Sequence, residues 1–367
     1  MDVMNDITDK PDWWTKVFRE EITAKWRAEI LGNKDLDVSE KMMDYIIEEL
    51  KWKAGVFKET GTVVAYDGEI VKSDTAVPES LQLELKMAAA RLEDVLEDQK
   101  DWHPGSNGQV LDLVHPSLFP LMFGKTRVFT DKELSIDEGL AYSGQGEVIP
   151  KVEKEPDRDE GHFYGRNRHC NLYSYDFQWL PCEVKFTPEG DGEKTGELRC
   201  KISSYINNLH PRDHRELYGI IERILDRVIP LWNVTLASID STSERSENRI
   251  GYDNVEYTVE LDSVPEEEKP KRREDESEHD FNERYWEWEQ EIQENSLVQP
   301  EPGEFAPRLP TTWEGHEEKP FKLDLKRDFR DKGLQVIVKL ANIHLTPEKP
   351  EYPGGTWHVE GQLVSTP

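Results

Sequence analysis

From Leu334 to Leu345 the chain carries β-branched and aliphatic side chains at both odd and even positions, the pattern of a strand covered on both faces. A loop rich in Pro and Gly, Thr346 to Gly355, follows, and Thr356 to Leu363 reads as the next strand. The two strands are expected to share one β-core. In the second, His358 and Glu360 stand two positions apart, so they face the same way about 7 Å apart along the strand. That is a workable bite for one ion. Imidazole plus carboxylate suits non-haem Fe(II), whose usual triad takes a second histidine from elsewhere in the fold. On the first strand Asn342 and His344 share a face, and they are expected either to point into the same cavity or to form a buried, hydrogen-bonded polar pair.

The other end of the chain has helical periodicity. Trp14, Phe18, Ile22, Trp26 and Ile30 recur at four-residue steps over 12–31, and Gly32 and Asn33 end the pattern. Asp37 with Glu40 resembles a capping box for a second helix facing inward with Met43, Ile46, Ile47 and Leu50. A short β-like stretch, Thr62 to Tyr66, and an Asp67-Gly68 turn come next. A third helix opens after Pro78 with Leu81, Leu85, Ala88, Leu92 and Leu96 and runs to about Lys100.

The middle is mixed. Leu113 to Pro120 is an apolar loop punctuated by proline, Asn171 to Trp179 alternates weakly, and Leu198 to Ile206 reads as a strand. Asn207 to Pro211 turns into a helix with Leu217, Ile220, Ile221, Ile224 and Val228, which Pro230 is expected to stop. Glu266 to Glu294 is an acidic block. In its second half Phe281, Tyr285, Trp288 and Ile292 keep helical spacing, so an amphipathic helix is expected there. The charge run itself reads first as a solvated surface and second as a segment that binds a protein partner. The predicted organisation is a helical region at 1–105, a mixed α/β region at 106–265, an acidic, partly disordered insertion at 266–310 and a β-core beginning at 311–367.

Bulk properties narrow the function classes. A net charge of −30 repels phosphate backbones and anionic membrane surfaces, so neither nucleic acid nor membrane is an expected partner. No segment approaches the ~20 apolar residues of a membrane span, and the start lacks a basic, apolar leader. Cys170, Cys182 and Cys200 make neither a C-x-x-C pair nor an even set, which points to reduced thiols in an intracellular compartment, cytoplasmic or nuclear. His162, His169, His210 and His214 do not stand at a recognised zinc-ligand spacing with Cys170 or Cys182. Phosphate loops, nucleophile elbows and dinucleotide fingerprints are absent, which weakens kinase, hydrolase and dehydrogenase readings.

Five segments together resemble a fungal family catalogued as domain of unknown function 4246. They are His115-Pro116-Ser117-Leu118-Phe119-Pro120-Leu121, Trp179-Leu180-Pro181-Cys182-Glu183, Ser204 to Pro211, Ile229-Pro230-Leu231-Trp232-Asn233 and Tyr352 to Gly361. The resemblance implies an α+β chain, with a helical N-terminal section and a C-terminal double-stranded β-helix, or jelly-roll, like that of Fe(II) and 2-oxoglutarate-dependent dioxygenases. It makes His358 and Glu360 the first two iron ligands, with the substrate unknown; Asn342 and His344, from their shared strand face, are the candidates for cofactor contact. Family members continue past this point to a distal histidine and a basic residue for the 2-oxoglutarate carboxylate, whereas this chain departs at Val364 to Pro367. The expectation is therefore an incomplete jelly-roll with weak or no turnover. The competing expectation is a non-catalytic scaffold acting through the acidic, Trp-bearing segment.

Overall fold

The computed structural model describes residues 2–66, 70–151, 174, 176–188, 197–237, 255–273, 276–305 and 323–355. Two compact units divide the chain, the first drawing on 1–74 and 234–322 and the second on 75–233 and 323–367.

The first unit opens with helices α1 (Asp2–Thr8), α2 (Trp13–Lys16), α3 (Glu20–Gly32) and α4 (Glu40–Thr60), then an antiparallel pair, β1 (Val63–Tyr66) and β2 (Ile70–Lys72). The single stripe expected over 12–31 is broken. Asp12 takes a left-handed φ of 56°, α2 stops after one turn and the helix restarts at Glu20. The restart changes which side chains go inward: Trp13, Val17 and Trp26 are buried, whereas Phe18 is exposed. The cap of α4 is Ser39, whose hydroxyl accepts from the Met42 N–H at 3.2 Å, and not Asp37 as the spacing suggested. Met43, Ile47, Leu50, Ala54 and Phe57 then face the core, where the Phe57 ring lies 5.6 Å from Trp13 and 4.6 Å from Trp14.

The second unit begins at α5 (Glu79–Glu93), which stops short of the expected Lys100 and leaves Leu96 exposed beyond its end. Next come β3 (Asp101–Trp102) and β4 (Val110–Val114), which pair antiparallel. Ala89 of α5 packs with Leu111 and Leu113 of β4, and Leu92, Trp102 and Leu340 close around them. Smaller elements follow: β5 (Leu121–Met122), β6 (Arg127–Val128), α6 (Ile136–Gly139), β7 (Glu147–Val148) and β8 (Phe177–Gln178), with β5 pairing to β8 and β6 to β7.

Then β9 (Cys182–Pro188) pairs with β10 (Leu198–Ile202), and helix α7 (Arg215–Ala237) follows. β10 lies at a sheet edge, where unpaired N–H groups invite outside strands. Here Cys200 and Ile202 donate theirs to Asp226 and Glu222, one helical turn apart on α7, at 2.9 Å each. Pro230 does not stop α7; it sits exposed inside the helix, which runs on to Ala237. The buried face is Leu217, Tyr218, Ile220, Ile221, Leu225 and Ile229, while Ile224 and Val228 are only half-buried.

In the first unit's later stretch, α8 (Glu278–Ser296) starts at Ser277, whose hydroxyl accepts from the Asp280 N–H at 3.1 Å. Phe281, Tyr285 and Trp288 stack up one side with ring centroids 5.8 and 5.3 Å apart, as their spacing predicts.

The second unit is completed by α9 (Leu325–Asp328), β11 (Leu334–Val336) and β12 (Leu340–Ile343). The strand expected over 334–345 is thus two strands in two sheets. β11 joins β9 to give the order β10-β9-β11, and β12 joins β4 to give β12-β4-β3. Neither half is covered on both faces: Ile337, Ile343 and Leu345 are 40%, 57% and 58% exposed. Period-two alternation on one-sided sheets decides burial here. Among the described residues the chain is α+β, with small antiparallel sheets and no closed barrel. No helix among them is long and apolar enough to cross a membrane. Thr356 to Leu363 lies outside the described residues.

Candidate functional site on a three-stranded sheet

Register places Asp101 opposite Asp112, Trp102 opposite Leu111, Ala341 opposite Asp112 and Asn342 opposite Leu111. Opposed residues share a face. One face of the sheet therefore carries the two aspartates, and the other carries Trp102, Leu111 and Asn342.

On the aspartate face, His103 continues β3 and His115 lies just past the end of β4. His103 Nδ1 is 2.7 Å from Asp112 Oδ2, and His115 Nδ1 is 2.7 Å from Asp101 Oδ2 and 3.5 Å from Asp112 Oδ2. The two imidazole rings are 6.2 Å apart. The Asp112 side chain is fully buried, and its second oxygen, Oδ1, has no hydrogen-bond partner among the described residues. Buried polar atoms almost always have one.

His115 is fixed by a loop from the far side of the sequence. Its N–H donates to Asn208 Oδ1 at 2.9 Å, and the Asn207 amide donates to the Pro116 and Phe119 carbonyls at 3.0 and 2.9 Å. Trp179 Nε1 donates to Ser117 Oγ at 2.8 Å, and the Glu183 N–H to Ser204 Oγ at 2.8 Å. Beneath the loop, the buried Tyr218 hydroxyl accepts from the Ile206 N–H at 3.0 Å and donates to the Leu209 carbonyl at 2.9 Å. Burial pushes that phenol up to about 12, so it remains a donor. The sequence segments around His115, Trp179 and Asn207 thus interlock in space.

On the opposite face, Asn342 and His344 both turn towards the end of α5. The Asn342 amide donates to the Glu93 carboxylate, which lies 3.9 Å from His344 Nε2. The His344 ring meets Trp102 edge-on at 5.3 Å, and the His344 backbone N–H donates to the Gln109 carbonyl at 2.7 Å. This pair and the aspartates are therefore separated by the sheet.

His358 and Glu360 lie outside the described residues, as do His162, His169 and Cys170. His210 pairs with Asp213 at 3.0 Å. Burial, then the nearby Arg91, lowers the His214 imidazole below its ordinary value. Cys182 and Cys200 are buried free thiols, pushed up to about 11 and about 12 chiefly by burial. Cys200 stands opposite Phe186 and Cys182 opposite Val336, so these two thiols do not face each other across the sheet.

The aspartate cluster escaped the sequence reading, which placed residues 101–103 in a helical region. The signal was present: Asp101-Trp102-His103 has the same carboxylate-to-imidazole spacing as His358 and Glu360. What the sequence does not carry is the pairing of that triplet with Asp112.

A family model described as protein of unknown function (DUF4246) matches residues 40–365, and one described as domain of unknown function DUF4246, N-terminal, matches residues 1–29. No curated protein and no solved structure matches the chain.

Proposed function

The chain belongs to the DUF4246 family, and from that premise we propose that it is a non-haem Fe(II) and 2-oxoglutarate dioxygenase-like protein with His358 and Glu360 as metal ligands. The observation that carries this reading is the setting of β12. That strand sits in an antiparallel sheet, and Pro353-Gly354-Gly355 stands between it and the His-x-Glu pair in the sequence. Imidazole and carboxylate donors suit Fe(II), which when bound supplies open positions for dioxygen chemistry.

The surroundings of Asn342 and His344 do not fit an anionic co-substrate. The Asn342 amide is engaged by Glu93, and a dicarboxylate brought to these side chains would meet that negative charge. No contact with 2-oxoglutarate is therefore assigned to them.

The test is anaerobic Fe(II) titration of the purified chain beside His358→Ala and Glu360→Gln, with succinate formation from 2-oxoglutarate as second readout. Loss of one equivalent of bound iron in both variants is expected. Undiminished iron stoichiometry in both would refute the assignment.

A second reading rests on α8, where Trp286 is 59% exposed among acidic neighbours. On that reading the segment docks a protein partner. Deleting 266–294 then abolishes association while His358→Ala leaves it intact, and the reverse pattern sinks the idea.

A further inference from the structure

We propose that Asp101, Asp112 and His115 form a second site, separate from His358 and Glu360, for a divalent first-row transition-metal ion. One ligand atom from each of the three lies within 4.8 Å of the others. Proximity alone would not make this a site, because side chains of this kind often gather without an ion.

Three further features point to a cation. Asp112 Oδ1 is buried and unpartnered among the described residues, so the cluster's buried carboxylate keeps one oxygen without a donor. Asp101 and Asp112 face each other directly across β3 and β4, an arrangement that like charges destabilise unless something positive intervenes. Among the described residues neither carboxylate pairs with a lysine or an arginine; their partners are His103 and His115.

The distances suit chelation. Two donors on one tetrahedral ion, each about 2.1 Å from it, sit about 3.4 Å apart. His115 Nδ1 and Asp112 Oδ2 are already 3.5 Å apart. His115 Nδ1 and Asp101 Oδ2, at 2.7 Å, lie within hydrogen-bond distance and open by about 0.7 Å when the ion comes between them, the imidazole then carrying its N–H on Nε2.

His103, 2.7 Å from Asp112 Oδ2, holds the buried carboxylate in its orientation, as outer partners of metal ligands commonly do. The Asp101 side chain is 36% exposed, which leaves an entry path and room for a water ligand. One imidazole and two carboxylates, with no thiolate, select the manganese-to-zinc series over Cu(I).

The experiment uses the full chain carrying His358→Ala and Glu360→Gln, so that the ligands proposed earlier are removed. After chelator treatment it is titrated with Zn2+ by calorimetry and with Co2+ by visible absorption. One bound equivalent is expected. Asp101→Asn and His115→Gln each weaken binding by about 30-fold or more, and His103→Gln by roughly 10-fold. Asp112→Asn abolishes binding; should that buried substitution unfold the chain, the part-exposed Asp101 and His115 variants decide the matter. Absence of Zn2+ and Co2+ binding, or affinity unchanged in both of those variants, overturns the proposal. Either result leaves the His358 assignment to its own iron titration.

Discussion

Asn207 is the side chain that ties down the loop immediately after His115. It is 4% exposed, and its single amide nitrogen donates to both the Pro116 and Phe119 carbonyls. Asn207→Ala removes both bonds at once. The Pro116 end is buried, so its orphaned carbonyl costs about 1–3 kcal/mol. Phe119 is 60% exposed, and water can replace the amide there, which limits that loss to roughly 0.5–1 kcal/mol. The sum is about 1.5–4 kcal/mol. Asn207→Asp is expected to cost more, since it turns a carboxylate towards two carbonyl oxygens. Equilibrium urea unfolding gives the number as a shift in midpoint at unchanged slope. Native-state hydrogen exchange then reports whether the His115 N–H, held by neighbouring Asn208, loses protection first. A loss below about 0.5 kcal/mol with His115 protection unchanged would falsify the view that this amide fixes the loop.

Other expectations follow from single features. Pro230 lies exposed inside α7, so Pro230→Ala should raise stability by about 1–3 kcal/mol by restoring a helix hydrogen bond; a lower urea midpoint would show that the proline is accommodated for another reason. Gly333 has φ +73°, and a Cβ there collides with the Val184 carbonyl, so Gly333→Ala should destabilise by at least about 1 kcal/mol; neutral unfolding data would contradict that close approach. Cys182 and Cys200 stay as thiols at pH 8, so peptide mapping after iodoacetamide should find them alkylated only in denaturant; rapid labelling of the native chain would overturn this. The bond from Arg284 holds the Glu276 carboxyl down at about 2, so the pair's contribution is present above about 4.5 and fades as pH falls through about 2. The difference in melting temperature between the chain and Glu276→Gln should shrink over that range, and a constant difference would refute the linkage.

Local rules were legible in the amino-acid order. The inward face of α4 and the aromatic row of α8 follow from side chains recurring every three or four residues, and the end of α3 at Gly32 from loss of that recurrence. The turn from Asn207 to Pro211 was marked by its composition, whereas the strand read over Leu198 to Ile206 ends at Ile202. Where a local rule failed, a longer-range contact had outweighed it. Pro230 is tolerated because α7 buries Leu225 and Ile229 against its unit, and Ser39 displaces Asp37 because the first turn of α4 starts where Met43 can reach the core.

Partners across sequence distance were not legible. Leu334 to Leu345 shows its β character in its side chains, but its division between β9 and β4 depends on which sheet edges are open after the rest of the chain has folded. The meeting of Asp101 with Asp112 is set by strand register, and the seating of His115 by an asparagine 93 positions away. Periodicity is a property of a single segment, whereas register and burial belong to pairs of segments. Only tertiary structure could therefore place two carboxylates face to face with an imidazole between them.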